Sequence, residues 1–500
     1  MRGYATFFLI AVMTLGLAFL LVTRSRTPHD APAERPPETS ADAGDAGADA
    51  GPDASVAVAS ASASASAKPA ERPMRVVTLG WELAAPAVAL AGDKPSNALI
   101  EIAPETALDA VEARLARGGS DAVGADVAIL PLPAFVVAYE KLRALEPRAF
   151  AVVGFSRGRE ELHAAPGALL KPPAGTDEVK LVGLGPSTAS DATARAGGSE
   201  SATVLGFFAL DLLGVPPARV RLVGPGAPEA KAAPFAAIAR GASDDRKLAL
   251  STADASKLVP IVAVAPKKLL DESEAKMKEL TRSWLDGIVR AGKDASNVSR
   301  RLANKEAVPL AAGVGGAPEA IALLDRLGQI EPVALADQRA VMGPGATSPV
   351  TLESLSQRTW GLSRAAGLTT IAAPDPLPID ARVVTAIAPA PAVPEKPDAG
   401  ADADAGAATF GAPPAGAAPL LVYRAVDVGA DAASVAAQIG FLASVFPRAA
   451  FRVSAKGGEK AARAIATAAK EKFDLPASRL ATVAAEPAGA FASVEILALP

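Results

Sequence analysis

SKLVPIVAVAPKKLL, Ser256 to Leu270, is an apolar run with a proline near each end, preceded by LALSTAD and followed by the helical pattern SEAKMKELTRSWLDGIVRAG. It reads as the second of two crossings, by which the chain returns to the lobe it left. Its place decides the fold, because one series of strands and helices ends before it and helices without strands follow. Working back, Val179 opens EVKLVGL, a Ser/Thr/Gly-rich turn, a helix SATVLGFFALDLLGV closed by Gly214 and Pro216, then RVRLVG, a second helix EAKAAPFAAIARG, and LALSTAD. Earlier still, MRVVTLGWE (Met74 to Glu82), ALIEIAP, the helix ALDAVEARLARGG (Ala107 to Gly119) and ADVAILPLP form another such series. Leu108, Val111 and Leu115 stand there at helical spacing. AFAVVGFSRGREEL reads as the last strand before the chain leaves this first series. The expected fold is α/β, with two lobes joined by two hinge crossings and a cleft between them. NVSRRLANK, PEAIALLDRLGQI and TLESLSQRTWGLSRAAG are expected to pack back on the first lobe.

Three pieces in this order carry a family resemblance. They are RVRLVG preceded by FFALDLLGV, the segment LALSTADASKLVPIVAVAPKKLLDE, and ALLDRLGQIEPVALADQRAV followed by QRTWGLSRAAG. Over most of 74–388 the chain resembles the periplasmic solute-binding proteins of the nitrate, sulfonate and thiamine-precursor type. That resemblance implies a type II periplasmic-binding fold, a small-molecule ligand in the interlobe cleft, and an ABC permease as a partner.

Residues 420–500 read as a smaller α+β unit: strand LLVYRAV, helix ASVAAQIGFLASVF, strand AAFRVSA, helix EKAARAIATAAKEKF, then LPASRLATVAAE and a closing strand SVEILAL. DLPASRLATV and VEILAL resemble the helix-to-strand turn and last strand of the OmpA-like peptidoglycan-binding domain. The family's wall-gripping Asp after the second strand is absent, since the strand runs into AKGGE. Arg463 matches the family's helix arginine only in approximate position, and Phe491, Ala492 and Ser493 replace its arginine pair. The resemblance therefore implies the fold and leaves peptidoglycan binding open.

Residues 26–73 and 389–419 are rich in Ala, Ser, Pro, Gly and Asp and poor in the large apolar side chains that offset the entropy of ordering, so both read as disordered linkers. Within residues 1–25, the uncharged run Tyr4 to Thr23 is close to the roughly 20 residues that span a bilayer. A cleavable signal segment is the alternative. The run exceeds the usual apolar core of about 7 to 15 residues, and Arg24 and Arg26 follow it directly, which favours an uncleaved inner-membrane anchor. Flanking charge does not orient it. The family resemblance does, placing both domains in the periplasm.

The chain has 500 residues and no cysteine, which removes disulfides, thiol nucleophiles and thiolate metal sites. A net charge of −4, with acid concentrated in the linkers, argues against a nucleic-acid footprint. His29 and His163 are the only histidines, too few for a zinc site or a Ser/His/Asp triad. No cofactor motif is present. Gly183, Gly185, Gly197 and Gly198 do not make a phosphate-cradling loop.

Candidate ligand contacts fall at three places. Trp81 and Glu82 follow the first strand, at the carboxyl end where open α/β sheets hold ligands. There Trp81 either stacks on a ligand or packs in the core, and Glu82 would hold a cationic group. Ser199, Ser201 and Thr203 stand at the expected start of a helix, where free N–H groups and the helix dipole favour an anion, unless the loop simply feeds the helix. Ser251, Thr252 and Asp254 in STADAS offer hydroxyl donors and an acceptor at the return crossing, and such residues also form ordinary turns. Gln338, after ALAD, is a fourth candidate. Trp284 and Trp360 lie in helical apolar stripes and read as core.

Two functions follow. One is a membrane-tethered periplasmic solute-binding module for a small polar, anionic ligand, serving uptake or sensing. The other is a structural envelope protein whose cleft is vestigial and whose OmpA-like domain contacts the wall or a partner. An enzyme is not expected, since no nucleophile, base and orienter are recognisable together.

Overall fold

The computed structural model describes residues 72–499 apart from 95–96, 174, 176–177, 185–198, 243, 312–315, 343–348, 389–409, 411–415 and 427–429. The apolar run Tyr4–Thr23, nearly all of the first linker and most of the second lie outside the described residues. Among the described residues no helix is long and apolar enough to cross a membrane.

The chain runs β1 (Met74–Leu79), α1 (Ala85–Ala91), β2 (Ile100–Glu105), α2 (Leu108–Arg117), β3 (Val127–Pro131), α3 (Leu132–Leu142) and β4 (Pro147–Ser156) before it crosses. The second lobe holds β5 (Glu160–Ala164), β6 (Val179–Val182), α4 (Glu200–Leu212), β7 (Val220–Val223), β8 (Phe235–Ala239) and β9 (Lys247–Ser251). The chain returns through β10 (Pro260–Pro266), followed by α5 (Glu274–Lys293), α6 (Ala295–Ala303), α7 (Ala320–Gly328), β11 (Ile330–Pro332) and α8 (Leu352–Ala365).

The first sheet has the order β11-β4-β10-β3-β1-β2. β1 is parallel to β2 and β3, whereas β10 lies between β3 and β4 and is antiparallel to both. The returning strand is thus the centre of the lobe it returns to. Ile261, Val262, Val264 and Ala265 are wholly buried there, which explains why this stretch is apolar on both faces. The second sheet has the order β7-β6-β8-β5-β9, with β5 antiparallel to β8 and β9. Helix α4 is buried on nearly every side, as its apolar composition all round requires.

Two expectations need correction. EAKAAPFAAIARG is not a helix: Pro228–Ala232 form a 3-10 turn, and Phe235–Ala239 form the buried strand β8. Pro234 removes a helix donor, and a run as short as FAAIA has the same apolar pattern in a buried strand as in a buried helix. AFAVVGFSRGREEL is not one strand but two, broken at residues 157–159 where the chain changes lobes. The described structure also reaches into the expected linker, where Arg72 forms a two-pronged ion pair with Asp126 at 2.7 and 2.8 Å.

The C-terminal part contains β12 (Ala418–Ala425), α9 (Ala432–Val445), β13 (Ala449–Ala455), α10 (Gly458–Phe473), β14 (Leu480–Thr482) and β15 (Ala492–Ala498), in a sheet of order β12-β15-β13-β14. Asp431 and Ser434 make a capping box that starts α9. The unit packs against the lobes. Val422 N–H bonds Leu169 O at 3.1 Å, and Phe446 stacks on Phe208 of α4 with centroids 6.3 Å apart. Arg358 of α8 pairs with Asp211 at 2.9 Å and lies over the rings of Phe208 and Phe441, so one guanidinium joins both lobes and the C-terminal unit. Val445 O accepts from Lys257 N–H on the return crossing at 3.3 Å. Arg463 on α10 is half exposed and paired with Glu459 at 2.6 Å.

Candidate functional site

A cleft of about 320 Å³ lies where the carboxyl ends of the two sheets face each other. The first lobe supplies Trp81 and Glu82 from the turn after β1, Thr106 after β2 and Pro131 at the end of β3, with Arg326 and Gln329 from the end of α7. The second lobe supplies Ser199, Glu200 and Ser201 at the start of α4 and Arg240 after β8. Arg159 and Glu160 come from the first crossing and the strand it opens. In open α/β sheets this strand-end crevice is the usual ligand position.

Its floor is an ion pair. Glu82 Oε1 lies 2.6 Å from an Arg159 guanidinium nitrogen, and the two side chains are 2% and 19% exposed. Three buried polar atoms at this place have no partner among the described residues: Trp81 Nε1, Glu82 Oε2 and Arg159 Nη1. Two are donors and one is an acceptor. Unsatisfied buried groups are uncommon in native structures, and each calls for an explanation.

Glu160 stands beside them, wholly buried. Ser156 Oγ and Thr252 Oγ1 both donate to its Oε2, the latter at 3.0 Å, while Gly158 N–H donates to Thr252 Oγ1 at 2.8 Å. Residues 156–160 belong to the outgoing crossing and Thr252 to the returning one, so this network ties the hinges together. Burial pushes the Glu160 carboxyl above its ordinary range, against the pull of Arg159 and the two hydroxyls. An acid raised in the native state holds its proton better there than when unfolded. Its contribution to stability is full below the ordinary glutamate value and is lost as pH rises through the raised one. Glu160→Gln keeps an oxygen for both hydroxyls and removes the charge. It is expected to melt above the parent protein at about pH 8, an advantage that shrinks by about pH 4; a melting difference independent of pH would contradict this role.

The structure brings Trp81, Glu82, Ser199 and Ser201 together at the cleft, and separates the other candidates from its wall. Ser199 caps α4, accepting from Ala202 N–H at 3.0 Å. Thr203 is wholly buried, its Oγ1 accepting from Leu184 N–H and donating to Ser199 O, so it fastens β6 to α4. Ser251 and Asp254 close on each other: Ser251 N–H and Oγ donate to Asp254 Oδ2 at 2.9 and 3.1 Å, the turn chemistry of such residues. Thr252 serves the hinge network. Gln338 is wholly buried behind β4, where its amide donates to Val152 O and accepts from Val152 N–H. β11 pairs only with Gly154 to Ser156, and Gln338 takes over the edge of β4 just beyond it. Trp284 and Trp360 are both buried.

Arg159, Arg240, Arg326 and Glu160 escaped the sequence reading. The signal for Arg159 was the Arg-Gly-Arg break between two apolar strands, hidden while that stretch read as one strand. His163 bridges Glu161 and the backbone of Arg246 at the far end of β5. Among the described residues no cluster of three or more His, Asp or Glu is placed to hold a metal ion.

No family model and no curated protein matches the chain. Solved structures do. The periplasmic aliphatic sulphonate binding protein of Escherichia coli is similar at 14% identity, covering 64% of this chain and 93% of its own, with a TM-score of 0.39. A ligand-binding component of an ABC-type import system from Staphylococcus aureus, with zinc bound, is 11% identical, covers 63% and 98%, and gives 0.38. The alkanesulfonate-binding protein of Xanthomonas axonopodis pv. citri, bound to MOPS, is 14% identical, covers 60% and 95%, and gives 0.35. Likeness at this level assigns neither ligand nor site to this chain.

Proposed function

We propose that the chain is a solute-binding module, tethered in the periplasm through Tyr4–Thr23, which holds a small polar ligand in the interlobe cleft for ABC-type uptake or for sensing. The observation that carries this is the set of buried atoms on Trp81, Glu82 and Arg159 that have no partner among the described residues, at the base of a cleft formed at strand ends. A bound ligand supplies the missing partners: an anionic or carbonyl oxygen for the indole and guanidinium N–H groups, and a donor for the Glu82 oxygen. The start of α4 and Arg240 on the second lobe, the latter paired with Asp325 at 3.3 Å, and Arg326 on the first face the cleft from both sides, which supports an anionic group on the ligand. Closure about the crossings at 157–159 and 252–259 is the motion expected on binding.

A ligand that binds only the native state raises its melting temperature in proportion to the logarithm of its concentration. Screening the purified chain against small sulfonates, carboxylates, phosphonates and amino acids is expected to give such a shift in the parent and none in Ser201→Phe, which blocks the cleft. A shift that survives Ser201→Phe would move the site elsewhere.

The structural envelope reading has one observation in its favour. Val445 holds the return crossing and Arg358 joins both lobes to the C-terminal unit, contacts that resist lobe movement. If no compound in the screen shifts the melting temperature, that reading replaces the first. Retention of the chain on purified peptidoglycan would then identify the wall as its partner.

A further inference from the structure

A second cavity, of about 280 Å³, opens to the surface of the first lobe between α1, α5, α7 and β11. Leu83, Pro86, Ile129, Trp284, Ile288 and Leu327 form much of its wall, and among the described residues Glu82 is the only charged one on it. That carboxylate already pairs with Arg159 on the cleft side. Water held inside a protein needs two to four polar partners, and an apolar cavity of roughly 150 Å³ stays dry and takes benzene.

Two glycines stand at its rim. Gly292 in α5 and Gly328 at the end of α7 both line it, both are exposed, and a Cβ at either would meet nothing within 4 Å. Gly287, also in α5, shows the contrast: a Cβ there would lie 2.6 Å from Pro86 O, so that glycine is required by the approach of α1. No such contact requires Gly292 or Gly328, and glycine disfavours a helix relative to any side chain that fits. Native interiors are otherwise close-packed. The entrance is apolar too. Leu324 lines the cavity at 38% exposure, and Ile321, one turn earlier on the same face of α7, is 84% exposed.

The two cavities share a wall. Trp81, Glu82, Arg326 and Gln329 line the cleft, whereas their chain neighbours Leu83, Leu327 and Ile330 line this cavity. We propose that it is a second ligand site, separate from the cleft, for a neutral apolar molecule of one to two aromatic rings. An occupant packs against the segments that carry Trp81 and Gln329, and so braces the cleft wall from behind.

The test titrates the full chain with N-phenyl-1-naphthylamine, a neutral probe whose fluorescence rises in apolar surroundings, and follows backbone hydrogen exchange with naphthalene. Saturable binding is expected in the parent, weakened at least tenfold in Gly292→Leu and Gly328→Leu, which place large side chains at its rim. Both variants are expected to melt no lower than the parent. Exchange is expected to slow at 81–86 and 326–330 when naphthalene is added to the parent. Equal probe binding by the folded variants, or no slowing at those segments, overturns the proposal. The exchange measurement decides it even if both variants fail to fold.

Discussion

Arg159→Met is expected to lower the stability of the native state by about 2–4 kcal/mol, the cost of leaving a buried charge without its counterion. Glu82 is 2% exposed and its Oε1 lies 2.6 Å from the guanidinium, so the methionine variant strands a carboxylate where water does not reach it. The double variant Glu82→Leu/Arg159→Met removes both charges and keeps the volume. Because replacing a whole buried pair by apolar groups is often close to neutral, most of the loss should return. Urea unfolding of the parent, both single variants and the double variant measures the coupling. Equal destabilisation in the Arg159 single and the double would mean that packing, not charge, is what Arg159 supplies. Under the proposed function every one of these variants also loses its response to the cleft ligand, since the unpaired Arg159 nitrogen and Glu82 oxygen go with the side chains.

Gln338→Leu is the second large effect, expected to cost about 2–4 kcal/mol because it leaves a buried N–H and a buried carbonyl unsatisfied at roughly 1–3 kcal/mol each. Both belong to Val152, in the strand that carries the chain out of the first lobe. Leucine matches the glutamine in size, so the loss reports the two hydrogen bonds rather than a cavity. Folded Gln338→Leu should keep an unaltered melting shift with any cleft ligand, since its side chain lies behind β4 and not on the cleft wall. Thermal and urea unfolding with and without that ligand separates the two effects. A lost shift at unchanged stability would return Gln338 to the binding site.

The return crossing was legible at 256–270, and the structure makes its apolar middle a strand, whose burial on both faces explains the continuous apolar run. The start of α4 was legible for a similar reason: Ser199 is a residue type whose side chain caps a helix, and it does so. FAAIA was misread because five apolar residues carry no period long enough to separate a buried strand from a buried helix. The STADAS segment was located at the crossing, yet its roles were not visible. Ser, Thr and Asp satisfy a turn, a hinge carboxylate or a ligand with the same groups, and only the neighbours decide which. Ser251 found Asp254 three residues on, and Thr252 found Glu160 ninety-two residues back.

By itself, then, the sequence determined what local pattern and composition control: alternating strands and helices in two series, the place of the return crossing, the small C-terminal unit, and the absence of any thiol chemistry. Tertiary structure alone decided which polar groups meet. Glu82 and Arg159 are far apart in the chain and form one ion pair, Arg358 joins three parts of the molecule, and two glycines in separate helices line one cavity. The physical reason is range. Hydrophobic period and turn chemistry act over a few residues, whereas a buried charge is set by whichever partner the fold brings within about 3 Å, and nothing in the local sequence encodes that partner.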